Sequence, residues 1–430
     1  PRSIELQFGQ KKILATVCPT EQIDLKNSHY AHPLLIQCSQ NLINELLIQE
    51  SLTYQLKICQ QVLCLGPVLG LLLGDQRYYY HNRFMKEFTD HLTAYENIGG
   101  LIVAFKECGV DRENLCIHGL SYNPLTQKWT YGKLPMPSVI FRRAFKRTGS
   151  IFTELKEITD GEIFNSLRLD KWQLYDKLKQ YDSIRPYLPD TAKLKDNRVL
   201  NNFLALYPWI ILKPTDLSRG RGICIIKRLN EDSVTVHDYS QVKPQNLTME
   251  IWKLASYLRL NHFFNRDYIV QQYLDLAKIN GCPWDIRVIM QKNKNQIWQC
   301  SGIECRMAGI DSLLTNVSRG GQALYISQAA QLAFGPKIHP RKFKKKIIKI
   351  AEDFCEIMDD DIGEHFAEFG LDLAIDTKQN YWFIEANIRP SFNGFKSLNY
   401  QTYLGICQTP ILYAASRAGF GRGGDFENKN

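Results

Sequence analysis

The stretch GLDLAIDTKQNYWFIEANIRP, Gly370 to Pro390, carries two runs of strand periodicity around a polar turn. Leu371, Leu373 and Ile375 alternate with Asp372, Ala374 and Asp376, the period of a strand. Tyr381–Ala386 supplies the second strand, and Thr377–Asn380 the turn between them. Setting Asp376 opposite Tyr381 brings Asp372 opposite Glu385, and Asn387, two residues on, shares that face. Carboxylates directly across an antiparallel pair repel. Either the two acids decorate a solvated face, or a divalent cation with oxygen ligands compensates them.

The chain has 430 residues, enough for two or three domains. Hydrophobic residues make up 44% and charged residues 23%, a globular composition that excludes a fibrous or largely disordered chain. The most apolar run, Cys64–Leu73, is too short for a membrane span and is broken by glycine and proline. No secretory signal pattern opens the sequence. The twelve cysteines form no C-x-x-C and no zinc-spaced cluster, which points to small buried thiols in a reducing compartment. The net charge of +9 suits an anionic substrate, but no nucleic-acid-binding motif accompanies it. The basic run Lys342, Lys344, Lys345 and Lys346 is read as the wet face of a helix, because Phe343, Ile347, Ile350, Phe354 and Ile357 recur at helical spacing.

Residues 1–60 read as a β-rich N-terminal segment. Residues 61–155 read as a small α/β unit, with strands at Pro67–Gly74 and Ser138–Phe141 and a helix at Asn97–Cys108. Gly149–Gly161 is the expected joint, a longer α+β region runs to residue 417, and 418–430 form a glycine-rich disordered tail.

Within the third region, Ile210–Lys213 reads as a strand. It leads into the polar turn Ser218-Arg219-Gly220-Arg221-Gly222 and a second strand at Ile223–Ile226. Glycines let backbone N–H groups approach phosphate oxygens closely, and Lys213 would reach the same oxygens. An ordinary glycine hairpin is the alternative. The run Asp267–Asp275 is a buried strand that ends in the polar pair Gln271 and Gln272 before Leu274, which taken alone reads as a core strand and in context as an edge able to offer hydrogen bonds to an adenine ring. Asp285 and Arg287 share a face of the next strand, which suggests an ion pair and an arginine oriented for a phosphoryl oxygen. Glu304 and Arg306 repeat the pattern. Asn316, Arg319, Gly320 and Gly321 form a polar glycine loop.

The order of these pieces resembles the ATP-grasp superfamily, and within it the YheC/YheD family of endospore coat-associated proteins. The matching stretches are Pro135–Arg143, Asp170–Trp172, Leu188–Thr191, Lys213-Pro214, Val270–Tyr273, Asp285–Lys292, Asn316 with Gly320-Gly321, and Trp382–Asn387. The resemblance implies an α+β fold, two subdomains clamping a nucleotide, preceded by the small α/β domain and the N-terminal β-rich segment. It implies a ligase that uses ATP and Mg²⁺ to convert a carboxylate to an acyl phosphate, which an amine then attacks. Asp372, Glu385 and Asn387 would be the metal ligands. Lys171, Lys213, Ser218, Arg219, Gly220, Gly222, Gln271, Gln272 and Leu274 would hold the nucleotide. Arg287 and Arg306 would be catalytic, and Asn316, Arg319 and Arg389 would meet the substrate. An amino acid or peptide is the implied substrate, spore coat proteins are candidate partners, and the mother-cell cytoplasm or the coat is the location. A non-catalytic nucleotide-binding coat-assembly protein and an ATP-grasp phosphotransferase are the alternatives. Arg142 stands where relatives often carry asparagine, and Arg389 and Phe392 depart from the small residues of peptide-forming ligases, so acceptor specificity is not carried over.

Overall fold

The computed structural model describes residues 2–18, 36–59, 61–74, 80–144, 150–217, 220–240, 243–308 and 322–420. The first sheet is made by β1 (Arg2–Phe8), β2 (Lys11–Val17), β3 (Gln55–Cys59) and β4 (Val62–Gly66), with α1 (Gln40–Leu46) between its two hairpins. β1 and β4 pair in parallel at the centre. The break expected at residue 60 therefore falls inside the β3–β4 hairpin. Leu6, Phe8 and Leu46 share one core with Val68, Leu72 and Phe105 of the next sheet, so the segment leans on its neighbour.

The second sheet has the order β10-β9-β5-β6-β7-β8. Its elements are β5 (Val68–Leu72), α2 (Asn82–Met85), α3 (Tyr95–Ile98), β6 (Leu101–Asp111), β7 (Cys116–Asn123), β8 (Lys128–Pro135), β9 (Val139–Arg142), α4 (Ser150–Ile158) and β10 (Ile163–Phe164). The helix expected at Asn97–Cys108 is strand β6. Leu101 to Phe105 are buried on both faces, and a doubly buried strand loses its alternation. β10 extends this sheet, so the unit continues past residue 155.

The third sheet, β11-β16-β12-β13-β14-β15, is antiparallel throughout. It comprises α5 (Lys171–Leu178), β11 (Thr191–Lys193), α6 (Asn197–Leu206), β12 (Trp209–Pro214), β13 (Cys224–Arg228), β14 (Ser233–Asp238), β15 (Gln245–Glu250), α7 (Ile251–Leu260) and β16 (Tyr268–Gln272). Leu200, Leu204, Leu254 and Leu258 cover one face through Leu212, Ile226 and Val270. The pairs Ile211 with Gln271 and Lys213 with Ile269 lie on the opposite face.

The fourth sheet, β20-β19-β18-β21-β22, contains the acidic hairpin. It follows the short β17 (Lys278–Ile279) and comprises β18 (Cys282–Lys292), β19 (Trp298–Met307), β20 (Gln322–Leu324), α8 (Ile326–Phe334), α9 (Pro340–Ile362), β21 (Glu368–Ile375), β22 (Tyr381–Asn387), α10 (Asn393–Leu398) and α11 (Tyr400–Arg417). α9 buries Phe343, Ile347, Ile350 and Phe354 against Val288, Leu371 and Leu373, which leaves its lysine run in water. α11 crosses back to the second sheet, where Ile411 and Tyr413 pack with Phe141 and Phe164. Beyond it Phe420 is buried beneath the Lys57 ammonium, 4.4 Å from the ring centre; residues 421–430 of the expected tail lie outside the described residues. Among the described residues no helix is long and apolar enough to cross a membrane.

Within the hairpin, Ile375 rather than Asp376 faces Tyr381. A bulge at Ile384 then inserts one residue, and Asp372 meets Glu385 while Gly370 meets Asn387. Asp376 turns instead to the β21–β22 connection, where it accepts from the N–H groups of Lys378 and Asn380 and from the Trp382 indole.

The two faces of α9 differ in a measurable way. Ile347→Ala should lower unfolding free energy by about 2–5 kcal/mol, and Lys345→Ala should change it by less than about 0.5 kcal/mol, both read from urea midpoints.

Candidate active site

A cleft of about 490 Å³ lies between the third and fourth sheets, and Lys171, Lys213, Gln271, Glu385, Asn387 and Arg389 line it. The chain crosses from one sheet to the other through Tyr273–Ala277. That crossing is pinned to the acidic hairpin, because Ala277 N–H donates to Ile375 O at 2.8 Å and Thr377 N–H to Asp275 O at 3.1 Å. The two walls are thus held in register at one end.

Two cations face each other on the first wall. Lys213, near the end of β12, donates to Gln271 Oε1 at 2.6 Å. Burial first, and the Lys171 charge second, lower its pKa to about 8 against the opposing pull of Glu385 across the cleft. Lys171 opens α5, whose start is fixed by the Asp170 and Gln173 capping box, and its N–H donates to Thr215 O at 3.1 Å. Its ammonium donates to Leu217 O, and burial lowers its pKa against the pull of Glu385. Two partly desolvated ammonium groups sharing one facing carboxylate favour an anion between them. The loop from β12 to β13 passes the same end. Gly220 and Gly222 hold φ of +69° and +75°, in the left-handed region. A Cβ on Gly222 would come within 3.0 Å of Pro214 and 3.1 Å of the Tyr268 hydroxyl. The nearby Ser218 and Arg219 lie outside the described residues.

Gln271 is buried and also donates to Thr191 Oγ1 at 2.7 Å. Gln272 and Leu274 stand at the hinge outside the cleft lining. Gln272 N–H is taken by Asp190 O at 2.9 Å, and Leu274 O accepts from Leu276 N–H at 3.0 Å.

Beside Glu385 and Asn387, on the same sheet face, lies a buried charge cluster. Register sets Asp285 against Arg306, and Arg287 against both Glu304 and Asp372. Arg287 grips Asp372 with Nε and with Nη2, the latter at 2.9 Å. Arg306 grips Asp285 at 2.6 and 2.7 Å and reaches Asp372 Oδ2 at 3.1 Å. The ion pair expected between Asp285 and Arg287 does not form. Side chains two apart on one strand are farther apart than cross-strand neighbours, so each takes its partner from the adjacent strand.

Three acids meet two arginines here. Burial works against the Asp372 carboxylate, but Arg287 and Arg306 outweigh it and lower its pKa. Glu304 is left over. Burial pushes its pKa up to about 7 although both arginines pull it down, one of its oxygens has no partner, and it packs directly on Gly394.

Of the expected metal ligands, Glu385 and Asn387 stand on the cleft wall, with Asn387 Nδ2 donating to Glu385 Oε1 at 3.0 Å. Asp372 is 5% exposed, and both its oxygens are held by guanidinium groups. Glu385, Asn387 and Asp372 would offer only oxygen ligands, a chemistry that suits a hard cation. Arg389 lines the cleft and donates to Arg143 O at 3.1 Å, while Arg143 pairs with buried Glu368 at 3.2 Å. Asn316 and Arg319 lie outside the described residues. Sequence reasoning gives no role to Thr191, although it stands in a matched motif, and it sets Glu304 as a pair for Arg306, which takes Asp285 and Asp372 instead.

Glu304 makes a pH-dependent prediction. Its native pKa lies above the ordinary carboxyl value, so folding favours its protonated form, and the native state loses stability as pH rises from about 4.5 through about 7. Glu304→Gln mimics the protonated form. Urea midpoints should show the variant gaining on wild type at pH 8 and losing that advantage at pH 4.5; an equal difference at both would contradict it.

The family model for YheC/D like ATP-grasp matches residues 160–416. The endospore coat-associated protein YheD of Bacillus subtilis strain 168 is 25% identical over 373 residues, 84% of this chain and 81% of its own length. The endospore coat-associated protein YheC of the same strain is 23% identical over 295 residues, 67% of this chain and 80% of its own. Among solved structures, the ATP-grasp ligase PsnB with precursor peptide PsnA2 and AMPPNP aligns with a TM-score of 0.46 at 12% identity, covering 82% of this chain and 98% of that one. The ADP complex of purK, an N5-carboxyaminoimidazole ribonucleotide synthetase, aligns with a TM-score of 0.48 at 9% identity, covering 80% and 78%. With the matched region holding both walls of the cleft, the hinge and the acidic hairpin, the chain belongs to the YheC/D-like ATP-grasp family.

Proposed function

We propose that this protein is a Mg-ATP-dependent carboxylate–amine ligase acting on an amino acid or peptide, with a role in spore coat formation. The observation that carries the proposal is the facing of Lys171 and Lys213 against Glu385 and Asn387 across one cleft. Lys213, Lys171 and the Ser218–Gly222 loop would hold the triphosphate, and Gln271, Gln272 and Leu274 the adenine. Glu385, Asn387 and Asp372 would hold Mg²⁺. Bound there, the ion would neutralise charge on the phosphate oxygens.

Arg287 and Arg306 are poised for an exchange. Each fork now binds carboxylates, and a phosphoryl group can likewise offer two oxygens to one guanidinium. Turning toward it would stabilise charge as it develops, and would release Asp372. A substrate carboxylate oxygen attacks the γ-phosphorus, the bond to the β-phosphate oxygen breaks, and ADP leaves. The amine lone pair then attacks the acyl carbon, a proton is lost, and phosphate departs with the C–O bonding pair. The products are an amide, ADP and phosphate. Arg389, with Asn316 and Arg319, would steady the carboxylate-bearing substrate.

A non-catalytic nucleotide-binding role in coat assembly is the second reading, favoured by the coat association of YheD and YheC. It shares the nucleotide site and differs in turnover. ATP with Mg²⁺ at 100 times its dissociation constant should stabilise the fold by about 2.7 kcal/mol, visible as a thermal shift. Glu385→Ala should abolish phosphate release while its melting temperature without nucleotide stays near wild type. Phosphate release by wild type across a panel of amino acids and acidic peptides, with a condensed product by mass spectrometry, decides for the ligase; silence across it favours the assembly role. Because Lys213 has a pKa lowered to about 8 and binds phosphate as an ammonium, ATP affinity should fall as pH rises through that value. Lys213→Met should bind more weakly and lose that pH dependence.

A further inference from the structure

A directed chain of hydrogen bonds runs along the cleft face of the third sheet. Thr191 Oγ1 donates to Pro189 O at 2.8 Å, Gln271 Nε2 donates to Thr191 Oγ1 at 2.7 Å, and Lys213 Nζ donates to Gln271 Oε1 at 2.6 Å. Both ends of the chain fix its direction. A carbonyl oxygen cannot donate, so the Thr191 proton is committed to Pro189 and its lone pair is what faces Gln271. An ammonium cannot accept, so it needs the oxygen end of the amide. Gln271 therefore has one orientation: NH2 toward β11, oxygen toward Lys213 and the cleft. Thr191 is the direct cross-strand partner of Gln271, and both are buried, at 8% and 6% exposure, so water is poorly placed to replace the hydroxyl.

The two ends of a glutamine amide are nearly the same size and opposite in hydrogen-bond sense, so without a fixed partner it can turn over at little steric cost. A carboxylate at the same position would present an acceptor either way and would need no such partner. The carbonyl oxygen of Gln271 carries two lone pairs, and Lys213 takes one. The other can accept from an exocyclic amino group on a bound base. A carbonyl on the base would meet it oxygen to oxygen.

We propose that Thr191 is a positioning residue for base selection: by locking Gln271 with its oxygen toward the cleft, it makes the site accept the 6-amino group of adenine and refuse the 6-oxo group of guanine. The proposal rests on the nucleotide reading of the cleft. Without the hydroxyl, the Gln271 NH2 loses its acceptor, and turning it toward the cleft would let it donate to the guanine oxygen.

The test measures dissociation constants of the full-length protein for AMPPNP and GMPPNP, with Mg²⁺, by calorimetry. Wild type should prefer AMPPNP. Thr191→Val should lower that preference by at least about tenfold, the scale of one lost hydrogen bond, and Thr191→Ser should retain it. In a Gln271→Glu background, which has no donor end to misplace, Thr191→Val should leave the preference within about twofold of its parent. If valine does not fold, Thr191→Ala is measured the same way. An unchanged preference in Thr191→Val, an equal loss in the Gln271→Glu background, or a wild type indifferent to the base each overturns the proposal while leaving a nucleotide site intact. A wild type that binds neither nucleotide overturns the nucleotide reading, and the proposal with it.

Discussion

Arg287 holds Asp372 through two hydrogen bonds, in a position where both side chains are about 8% exposed. That contact ties β18 to β21, and Arg306 extends it to β19. Buried charges are tolerated when paired and hydrogen-bonded, and stranding one by removing its partner costs about 3–5 kcal/mol. An apolar core would hold these strands together with less penalty. The sheet instead keeps five ionisable groups where leucines would suffice, and they continue the sheet face that carries Glu385 and Asn387. Such an arrangement is expensive as architecture and useful as chemistry.

The cleft depends on the same cluster from the other side. Asp372 and Glu385 are paired across the hairpin. Two ionised carboxylates there would repel, and Arg287 and Arg306 supply the compensation in the absence of other cations. The opposite wall has the reverse imbalance, with Lys171 and Lys213 partly desolvated and both drawn to Glu385. A magnesium-bound triphosphate, the proposed ligand, would bring anionic oxygen to the lysines and arginines and a cation to the carboxylates. On the proposed reading, these complementary charges on facing walls would let the residues exchange partners when the nucleotide binds.

Much of this was legible in the sequence where local pattern and long-range position agreed. Asp372 and Glu385 were placed opposite each other from alternation alone. Even there the register was one residue out at the turn, and the bulge at Ile384 restored it, since no pattern of side-chain types marks an inserted residue. β6 was read as a helix because burial on both faces erases the period that distinguishes the two. The partners of Asp285 and Arg287 were misassigned because strand pairing, not sequence spacing, sets which charges touch. Thr191 and Gln271 are 80 positions apart, and only the adjacency of β11 and β16 reveals the bond between them.

The proposed exchange of Asp372 between arginine and metal is tested most directly by manganese titration, with free Mn²⁺ followed by electron paramagnetic resonance. Protein and AMPPNP together should remove Mn²⁺ signal well beyond that removed by nucleotide alone, and protein without nucleotide should remove little, because Asp372 is then held by Arg287 and Arg306. Equally tight Mn²⁺ binding with and without nucleotide, or no protein-dependent loss of signal in the presence of AMPPNP, would contradict a site in which the arginines, the carboxylates and the nucleotide share one charge balance.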